Sequence, residues 1–413
     1  MSTSSPRPPA PLWQRLLLMA VSPVVFLALA EGAVRVSGVD TDLARNKNFE
    51  IAVPVWLLAD PGWVQIQHER LQRPAGVKAS DVAWLRNFEE ARYIQYRLKR
   101  NIDVAAVNPF NELEVARGIT FRLTSNSRGF RGPEVSPRTA STPPLRIVTF
   151  GDSSTFGWGV DREWTFQELL VDRFRQRGRP VEVINMGMPG FTSRHGLAVQ
   201  EHYAHDLHPD VVVISFGAND GRFGLQAADD VLRVDETRLA GVAWTLKRLE
   251  VYKLMRRVIF SVYDPFSALD SDRPGATPPS LVQSVPPERF RRNVMRLAGL
   301  ARQQGAESVF LSVCAPDEHR EVMHELSASR QIPMVDAVEL FRDRVDELRD
   351  HRLYPDEVAH YERLYGLDAM RENWRYYVTT DGCHPNRAGH SLIADRMVEA
   401  VEQVLAARSQ PPS

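Results

Sequence analysis

From residue 145 onward, short apolar runs alternate with longer stretches of helical periodicity. The runs at 145–150 and 211–216 are mostly apolar and β-branched, which is typical of strands buried on both faces. Such alternation predicts a parallel sheet covered by helices on both sides, joined by right-handed crossovers. We therefore predict an α/β fold with three layers (α/β/α) and a flavodoxin-like parallel sheet over 145–408. The other predicted strands are 181–186, 308–313 and 333–336, and the predicted helices are 193–206, 287–304, 319–329, 337–350 and 387–407.

Residues 36–144 form an accessory region of mixed character ahead of this domain. The stretch 64–100 predicts helices, with aromatic residues at Trp84, Phe88, Tyr93 and Tyr96. Residues 119–124 alternate apolar and polar side chains, as in a half-buried strand. A turn is predicted at 126–129 and a Pro/Ser/Thr linker at 133–144.

The N-terminus carries the longest apolar stretch of the chain. A short polar tail, 1–11, precedes residues 12–35, which contain about 20 mostly apolar residues, enough for one membrane span. The stretch also fits a signal peptide, with Ala28-Leu29-Ala30 as its cleavage site, or a buried helix of a soluble protein. We favour a retained transmembrane helix with everything after residue 35 outside the cytoplasm, the alternative being secretion after cleavage near Ala30.

Two insertions interrupt the alternation, at 221–286 and 351–380, and both flank the predicted active-site rim. Within the first, residues 242–262 interleave apolar and basic side chains. This pattern is typical of a helix that lies on a bilayer or one that covers the main domain, and we favour the cover.

Composition and charge exclude several functional classes. The chain has 413 residues and a net charge of −1, so nothing favours nucleic acid as a partner. Its two cysteines, Cys314 and Cys383, are too few for a disulfide framework or a cysteine-rich metal site. Both fall on the predicted rim, where they could pair in an exported protein or remain free. The sequence does not define an oligomeric state.

Polar residues suited to acyl-transfer chemistry follow the predicted strands. Ser153 stands on a tight turn at the end of the strand 145–150, just before helical sequence. Gly187 follows the next strand, where its N–H can face a ligand, and the Asn219 amide follows the third. Asp381 precedes His384 by three residues, so its carboxylate can bond Nδ1–H and leave Nε2 free to deprotonate a serine. Because the carboxyl ends of parallel strands meet at one edge, we expect these groups to converge.

A second group of histidines, His202, His205 and His208, suggests a metal site. Their spacing places them only loosely on one helix face, and no matching carboxylates converge in the sequence. A solvated helix face is the preferred interpretation, and no metal is predicted.

The order Gly-Asp-Ser, Gly, Gly-x-Asn-Asp and Asp-x-x-His resembles the SGNH (GDSL-type) hydrolases over residues 145–408. The segment 126–134 (NSRGFRGPE) is similar to the lead-in of bacterial membrane-anchored members. The resemblance implies that Ser153 is the nucleophile, His384 the general base and acid, and Asp381 its orienting carboxylate. It also implies an oxyanion hole made by the N–H groups of Ser153 and Gly187 and the amide of Asn219. Ser154 stands where the family name expects leucine, which bears on pocket shape only.

These features predict a serine esterase or acylesterase that forms an acyl-enzyme and needs no cofactor. Its substrate would be an ester-bearing small molecule, a lipid or an acylated glycan. Transfer of O-acetyl groups on a surface glycan is the nearest alternative, since hydrolase and transferase differ only in the acceptor. A catalytically idle membrane-anchored scaffold is the third.

Overall fold

The computed structural model describes residues 11–39, 87–108, 111–138, 143–224, 241, 245–246, 248–262 and 282–408. The chain divides into two compact units. One comprises residues 1–53 and 238–270, and the other comprises 54–237 and 271–413. The predicted chemistry lies in the second unit.

The elements follow one another along the chain as strands, helices and two 3₁₀ turns. The strands are β1 (Phe88–Ala91), β2 (Gln95–Leu98), β3 (Asp103–Val107), β4 (Thr120–Thr124), β5 (Leu145–Gly151), β6 (Val181–Asn185), β7 (Val211–Ser215), β8 (Phe223–Gly224), β9 (Val282–Gln283), β10 (Glu307–Ser312) and β11 (Met334–Asp336). The helices are α1 (Leu12–Ser37), α2 (Glu112–Arg117), α3 (Ser153–Phe156), α4 (Phe166–Gln176), α5 (Ser193–His202), α6 (Glu250–Val262), α7 (Pro287–Gln303), α8 (Asp317–Arg330), α9 (Ala337–Arg349), α10 (Pro355–Tyr365), α11 (Leu367–Glu372) and α12 (Arg387–Arg408). The 3₁₀ turns are Arg162–Trp164 and Trp374–Tyr377.

The predicted parallel sheet is confirmed. Its five strands run in the order β11-β10-β7-β5-β6, and every pairing is parallel. Counted in chain order within the sheet, β6-β5-β7-β10-β11 is 2-1-3-4-5, the flavodoxin-like arrangement. The order reverses at β5, so the loops after β5 and β7 open the crevice in which such sheets bind ligands.

Helices cover both faces of the sheet, as its apolar strands require. Alternate side chains of β5, such as Ile147, belong to a core with α4, α9 and α12. Their neighbours Val148 and Phe150 are equally buried on the other face, where α5 and α7 pack together and α7 contacts β7 and β10. Burial on both sides explains why these strands lack the polar alternation of a solvated sheet.

In the described part of the accessory region, β1 pairs with β2 and β3 pairs with β4, and both pairings are antiparallel. The predicted strand at 119–124 is confirmed as β4, and Gly129 N–H donates to Asn126 O at 3.0 Å in the predicted turn. The helix predicted up to residue 100 is wrong over 88–98, which form β1 and β2; residues 64–86 lie outside the described ranges. Tyr93 has a φ of 69°, which stops a helix and turns the hairpin, and Phe88 packs edge-on against Tyr96 across it.

The insertions contribute short elements to their units. From 221–286, β8 pairs with β9, while α6 groups with α1 in the first unit. The interpretation of the basic helix as a cover on the main domain stays a prediction. Within the first unit, Val251 N–H donates to Glu31 Oε2 at 3.0 Å, which joins α6 to α1. In the part of the chain that the structure describes, α1 is the helix long and apolar enough to cross a membrane by length and composition.

Candidate active site

Ser153 is the first residue of α3, directly after β5. Asp152 caps this helix by accepting the Ser154 N–H at 2.9 Å, which turns the chain sharply after the strand. The turn is crowded, since a Cβ at Gly151 would lie 2.6 Å from Ser215 O. Ser153 is therefore held at the carboxyl edge of the sheet, with its N–H among the unpaired donors of a helix start.

His384 and Asp381 reach this serine across 231 residues of sequence. His384 Nε2 lies 2.7 Å from Ser153 Oγ, and Nδ1 lies 2.6 Å from Asp381 Oδ2. Asp381 Oδ1 also accepts the N–H groups of Cys383 and His384, at 3.1 and 2.9 Å. Burial raises the pKa of Asp381, but the His384 charge and these hydrogen bonds outweigh it, so the pKa lies below its ordinary value. The three side chains meet as the sequence predicts.

The predicted oxyanion donors lie at the same edge, with one difference from expectation. Gly187 packs against α3 so closely that a Cβ would lie 2.7 Å from Phe156 N. Its N–H, however, donates to Asn185 Oδ1 at 2.9 Å. Asn219 Nδ2 donates to Phe191 O at 3.0 Å, which uses one of its two amide hydrogens. Gly187 is therefore engaged within the chain rather than free, because the Asn185 side chain folds back two residues to meet it.

Asn185 and Asp220 are site residues that the sequence reasoning missed or underrated. Asn185 Nδ2 lies 3.2 Å from Thr155 O, so this side chain joins α3 to the Gly187 turn. Asp220 is fully buried and accepts hydrogen bonds from Ser193 N and Gly217 N, so it ties the β7 loop to the start of α5. Burial raises the pKa of Asp220 to about 7 against the opposing hydrogen bonds from Ser193. A polar residue ending an apolar strand was the available signal for Asn185.

Arg131, from the segment 126–134, bonds the end of α3 and the residues that follow it. Its guanidinium is 1% exposed and donates to the carbonyl oxygens of Phe156 at 3.0 Å, Val160 at 2.5 Å and Gly157. Burial lowers the pKa of Arg131 to about 9. These bonds tie the segment 126–134 to the end of α3 and to the residues that follow it.

The sequence leaves the pairing of the two cysteines open. In the structure they form a disulfide beside the loop that bears Asp381 and His384. The Cα atoms of Cys314 and Cys383 are 5.3 Å apart, and Ser154 Oγ lies 3.8 and 3.6 Å from their sulfurs. The bond connects the end of β10 to the residue before His384. A cavity of about 370 Å³ lies on this rim, and its wall includes Cys314, Gly382, Trp374 and Arg375.

The predicted histidine group is not brought together as a metal site. His202 stacks on Tyr93 with ring centroids 3.8 Å apart. Within the described ranges, the one cluster of suitable ligands is His324, Asp336 and Glu339. The Arg320 guanidinium lies 3.3 Å from the Asp336 carboxylate and 3.7 Å from that of Glu339, so a protein cation already neutralises this cluster.

A serine bonded to an imidazole that is bonded to a carboxylate, at the carboxyl edge of a parallel sheet, is the arrangement of the α/β serine hydrolases. A family model described as the GDSL-like lipase/acylhydrolase family matches residues 149–392, more than half of the chain. The chain therefore belongs to this family, as the four sequence blocks predict.

Individual similar proteins match different shares of this chain. An arylesterase of Vibrio mimicus is 35% identical over 85 residues, 21% of this chain and 42% of that protein. Esterase TesA of Pseudomonas aeruginosa is 33% identical over 82 residues, 20% of this chain and 41% of that protein. The chain thus matches less than half the length of these curated relatives. Among solved structures, a crystal structure of TesA covers 63% of this chain and 98% of its own, with 19% identity and a TM-score of 0.34. A lipase/acylhydrolase from Enterococcus faecalis covers 65% and 99%, with 19% identity and a TM-score of 0.35.

Proposed function

We propose that this protein is a serine esterase or acylesterase that works through a covalent acyl-enzyme. The observation that carries the proposal is the pair of short contacts on His384, 2.7 Å to Ser153 Oγ and 2.6 Å to Asp381 Oδ2. These distances are within the range for direct proton transfer between a nucleophile and its base.

Acylation begins when Ser153 Oγ attacks the ester carbonyl carbon and its proton passes to His384 Nε2. Asp381 accepts the Nδ1–H bond, which fixes the tautomer and stabilises the imidazolium. The carbonyl oxygen gains the negative charge and is stabilised by the N–H groups of Ser153 and Gly187 and the amide of Asn219. The intermediate then expels the alcohol, which takes its proton from His384. Water, deprotonated by His384, hydrolyses the acyl-enzyme and regenerates Ser153.

The substrate class that we propose is an acyl or acetyl ester of a small molecule, a lipid or a glycan. The names of the two curated relatives, an arylesterase and an esterase, support ester cleavage.

A spectrophotometric assay with short p-nitrophenyl esters tests this proposal on the full-length protein. Ser153→Ala should lower kcat by roughly 10⁴-fold or more. Ser154→Ala removes the same hydroxyl one residue later and should leave kcat within about tenfold of the parent value, since Ser154 contacts the disulfide and not His384. Equal turnover by the parent and Ser153→Ala would reject the proposal. Acetyl transfer to an added oligosaccharide that outpaces release to water would reassign the enzyme as a transferase.

We further propose that α1 is a retained membrane anchor and that the catalytic unit lies outside the cytoplasm. Two observations support this: the length and apolarity of α1, and the Cys314–Cys383 disulfide, since structural disulfides persist mainly in oxidising compartments. Carbonate extraction of membranes from producing cells should leave the full-length protein in the pellet. Recovery in the supernatant, or a mature N-terminus near residue 30, would contradict a retained span.

A further inference from the structure

We propose that Asn108, Asn111 and Glu114 of the accessory region are positioning residues of the active site, which hold the loop bearing Asp381 and His384 in register with Ser153. This inference rests on the proposed function, because it assigns these residues to the same acyl-transfer reaction. None of the three touches the reacting atoms, so their effect passes through the loop.

Asn108 joins the two halves of the catalytic site directly. Its side-chain carbonyl accepts the Trp158 Nε1–H at 3.0 Å, five residues beyond the nucleophile. Its amide donates to Thr380 Oγ1 at 3.2 Å. Thr380 in turn donates from Oγ1 to His384 O at 3.3 Å and from its backbone N–H to the same oxygen at 2.8 Å. A continuous hydrogen-bonded path therefore runs from the nucleophile segment through Asn108 and Thr380 to His384.

Asn111 supplies a second attachment to the same loop. Its amide donates to Thr380 O at 2.5 Å and to Tyr365 Oη at 3.2 Å. Its side-chain carbonyl accepts the N–H groups of Leu113 and Glu114 at the start of α2. The loop is thus held at the hydroxyl and at the carbonyl of Thr380 by two side chains that precede the main domain in sequence.

Glu114 places a second buried carboxyl group behind the triad. It is 3% exposed, and Tyr365 donates to its Oε1 at 2.6 Å. The titratable groups that face it are Tyr365 and Tyr361 on α10 and Asp381 and His384 on the catalytic loop. Burial raises the pKa of Glu114 to about 7, opposed by the Tyr365 hydrogen bond and reinforced by the negative charge of Asp381. Glu114 consequently changes charge in the range where an imidazole base also titrates.

These buried polar side chains have their hydrogen-bond partners only when the loop that bears Asp381 and His384 is in place. Asn108 and Thr380 are fully buried, and Asn111 is 4% exposed. A buried amide without partners is destabilising, so each asparagine favours the loop arrangement that satisfies it. Displacement of a catalytic group by about 1 Å can lower turnover about 100-fold, which sets the scale of the expected effect.

The first test compares Asn108→Ala with Asn126→Ala in the full-length protein. Asn126 is a buried asparagine of the same region whose side chain accepts the N–H groups of Arg128 and Phe130 and donates to Pro133 O, all within its own turn. Asn108→Ala should lower kcat for p-nitrophenyl acetate about 10- to 100-fold with KM within about twofold. Asn126→Ala should retain kcat within about twofold. Equal kcat in the two variants would overturn the positioning role.

The second test uses Glu114→Gln, a near-isosteric change that preserves packing if Asn108→Ala does not fold. Glu114→Gln keeps a carbonyl oxygen that can accept the Tyr365 hydroxyl, so kcat should stay within about threefold of the parent value. Glu114→Ala removes that acceptor and should lower kcat about 10-fold or more with KM within about twofold. Equal kcat in the parent and Glu114→Ala overturns the positioning role of Glu114. Reaction with a fluorophosphonate probe separates the two proposals. A parent protein that does not label at Ser153 rejects the proposed function, whereas equal labelling rates in all variants reject only the positioning role.

Discussion

Replacing Cys314 and Cys383 together by serine tests what the disulfide contributes to the catalytic unit. The two cysteines are 69 residues apart, and closing a loop of about 70 residues removes about 4 kcal/mol of chain entropy from the unfolded state. Measured values are more often 2–4 kcal/mol, so we expect the free energy of unfolding to fall by about 2–4 kcal/mol. The double replacement avoids an unpaired buried thiol beside His384.

The effect on turnover should be smaller than the effect on stability. Asp381 still accepts two backbone N–H groups of the loop, and Thr380 still bonds His384 O. Because these contacts hold the loop without the disulfide, we expect kcat to fall by no more than about tenfold.

Urea unfolding followed by fluorescence, with p-nitrophenyl acetate turnover on the same samples, measures both quantities. The parent protein treated with reductant is the matched control and should behave like the double variant. Mass spectrometry after unfolding in iodoacetamide should show no alkylation of the untreated parent. Alkylation of both cysteines, or an unfolding free energy within about 0.5 kcal/mol of the parent's, would refute the reasoning.

Three further predictions follow from buried groups at the site. Asp220→Asn should flatten the pH dependence of stability: the folded pKa of about 7 exceeds the ordinary 3.8, so the stability that the protonated Asp220 contributes is fully present below about pH 4 and is lost as the pH rises through 7. That loss is at most about 4 kcal/mol, and thermal unfolding between pH 4 and 8 measures it; parallel curves would contradict the assignment. Arg131→Met leaves several carbonyls near α3 without donors and should cost about 3–5 kcal/mol, checked by urea unfolding; a loss below about 1 kcal/mol would count against it. Gly187→Ala places a Cβ 2.7 Å from Phe156 N and should lower kcat at least about 100-fold with the fold retained by circular dichroism, an expectation that parent-like turnover would defeat.

The core of the fold could be predicted because its strands can be recognised from short stretches of sequence. Strands buried on both faces must be continuously apolar, so β5 and β7 are visible as short runs, and their polar terminal residues mark one edge of the sheet. The accessory hairpin was misjudged because Phe88 and Tyr96 are spaced acceptably for a helix. Only the left-handed backbone at Tyr93 and the antiparallel pairing of β1 with β2 decide for β structure.

The supporting residues of the site could not be predicted in this way. Asn108 meets Thr380 across 272 residues, and Glu114 meets Tyr365 across 251. No periodicity links such positions, and a buried asparagine or glutamate looks like a surface residue until its partners are known. The pairing of the two cysteines was open for the same reason, since two thiols on one rim are compatible with a bond and with separate burial.

The hydrogen bond from Gly187 N–H to Asn185 Oδ1 has a consequence for the oxyanion role that we propose for this N–H. A neutral ester oxygen would have to replace the Asn185 carbonyl as the acceptor of that hydrogen, and the exchange would stabilise the bound ester little. A full negative charge attracts the same donor about twice as strongly, so the donor turns toward substrate only as the charge develops. Competition from Asn185 would therefore weaken the binding of intact esters. The Gly187 hydrogen bond would then stabilise mainly the charged intermediate and so lower the barrier.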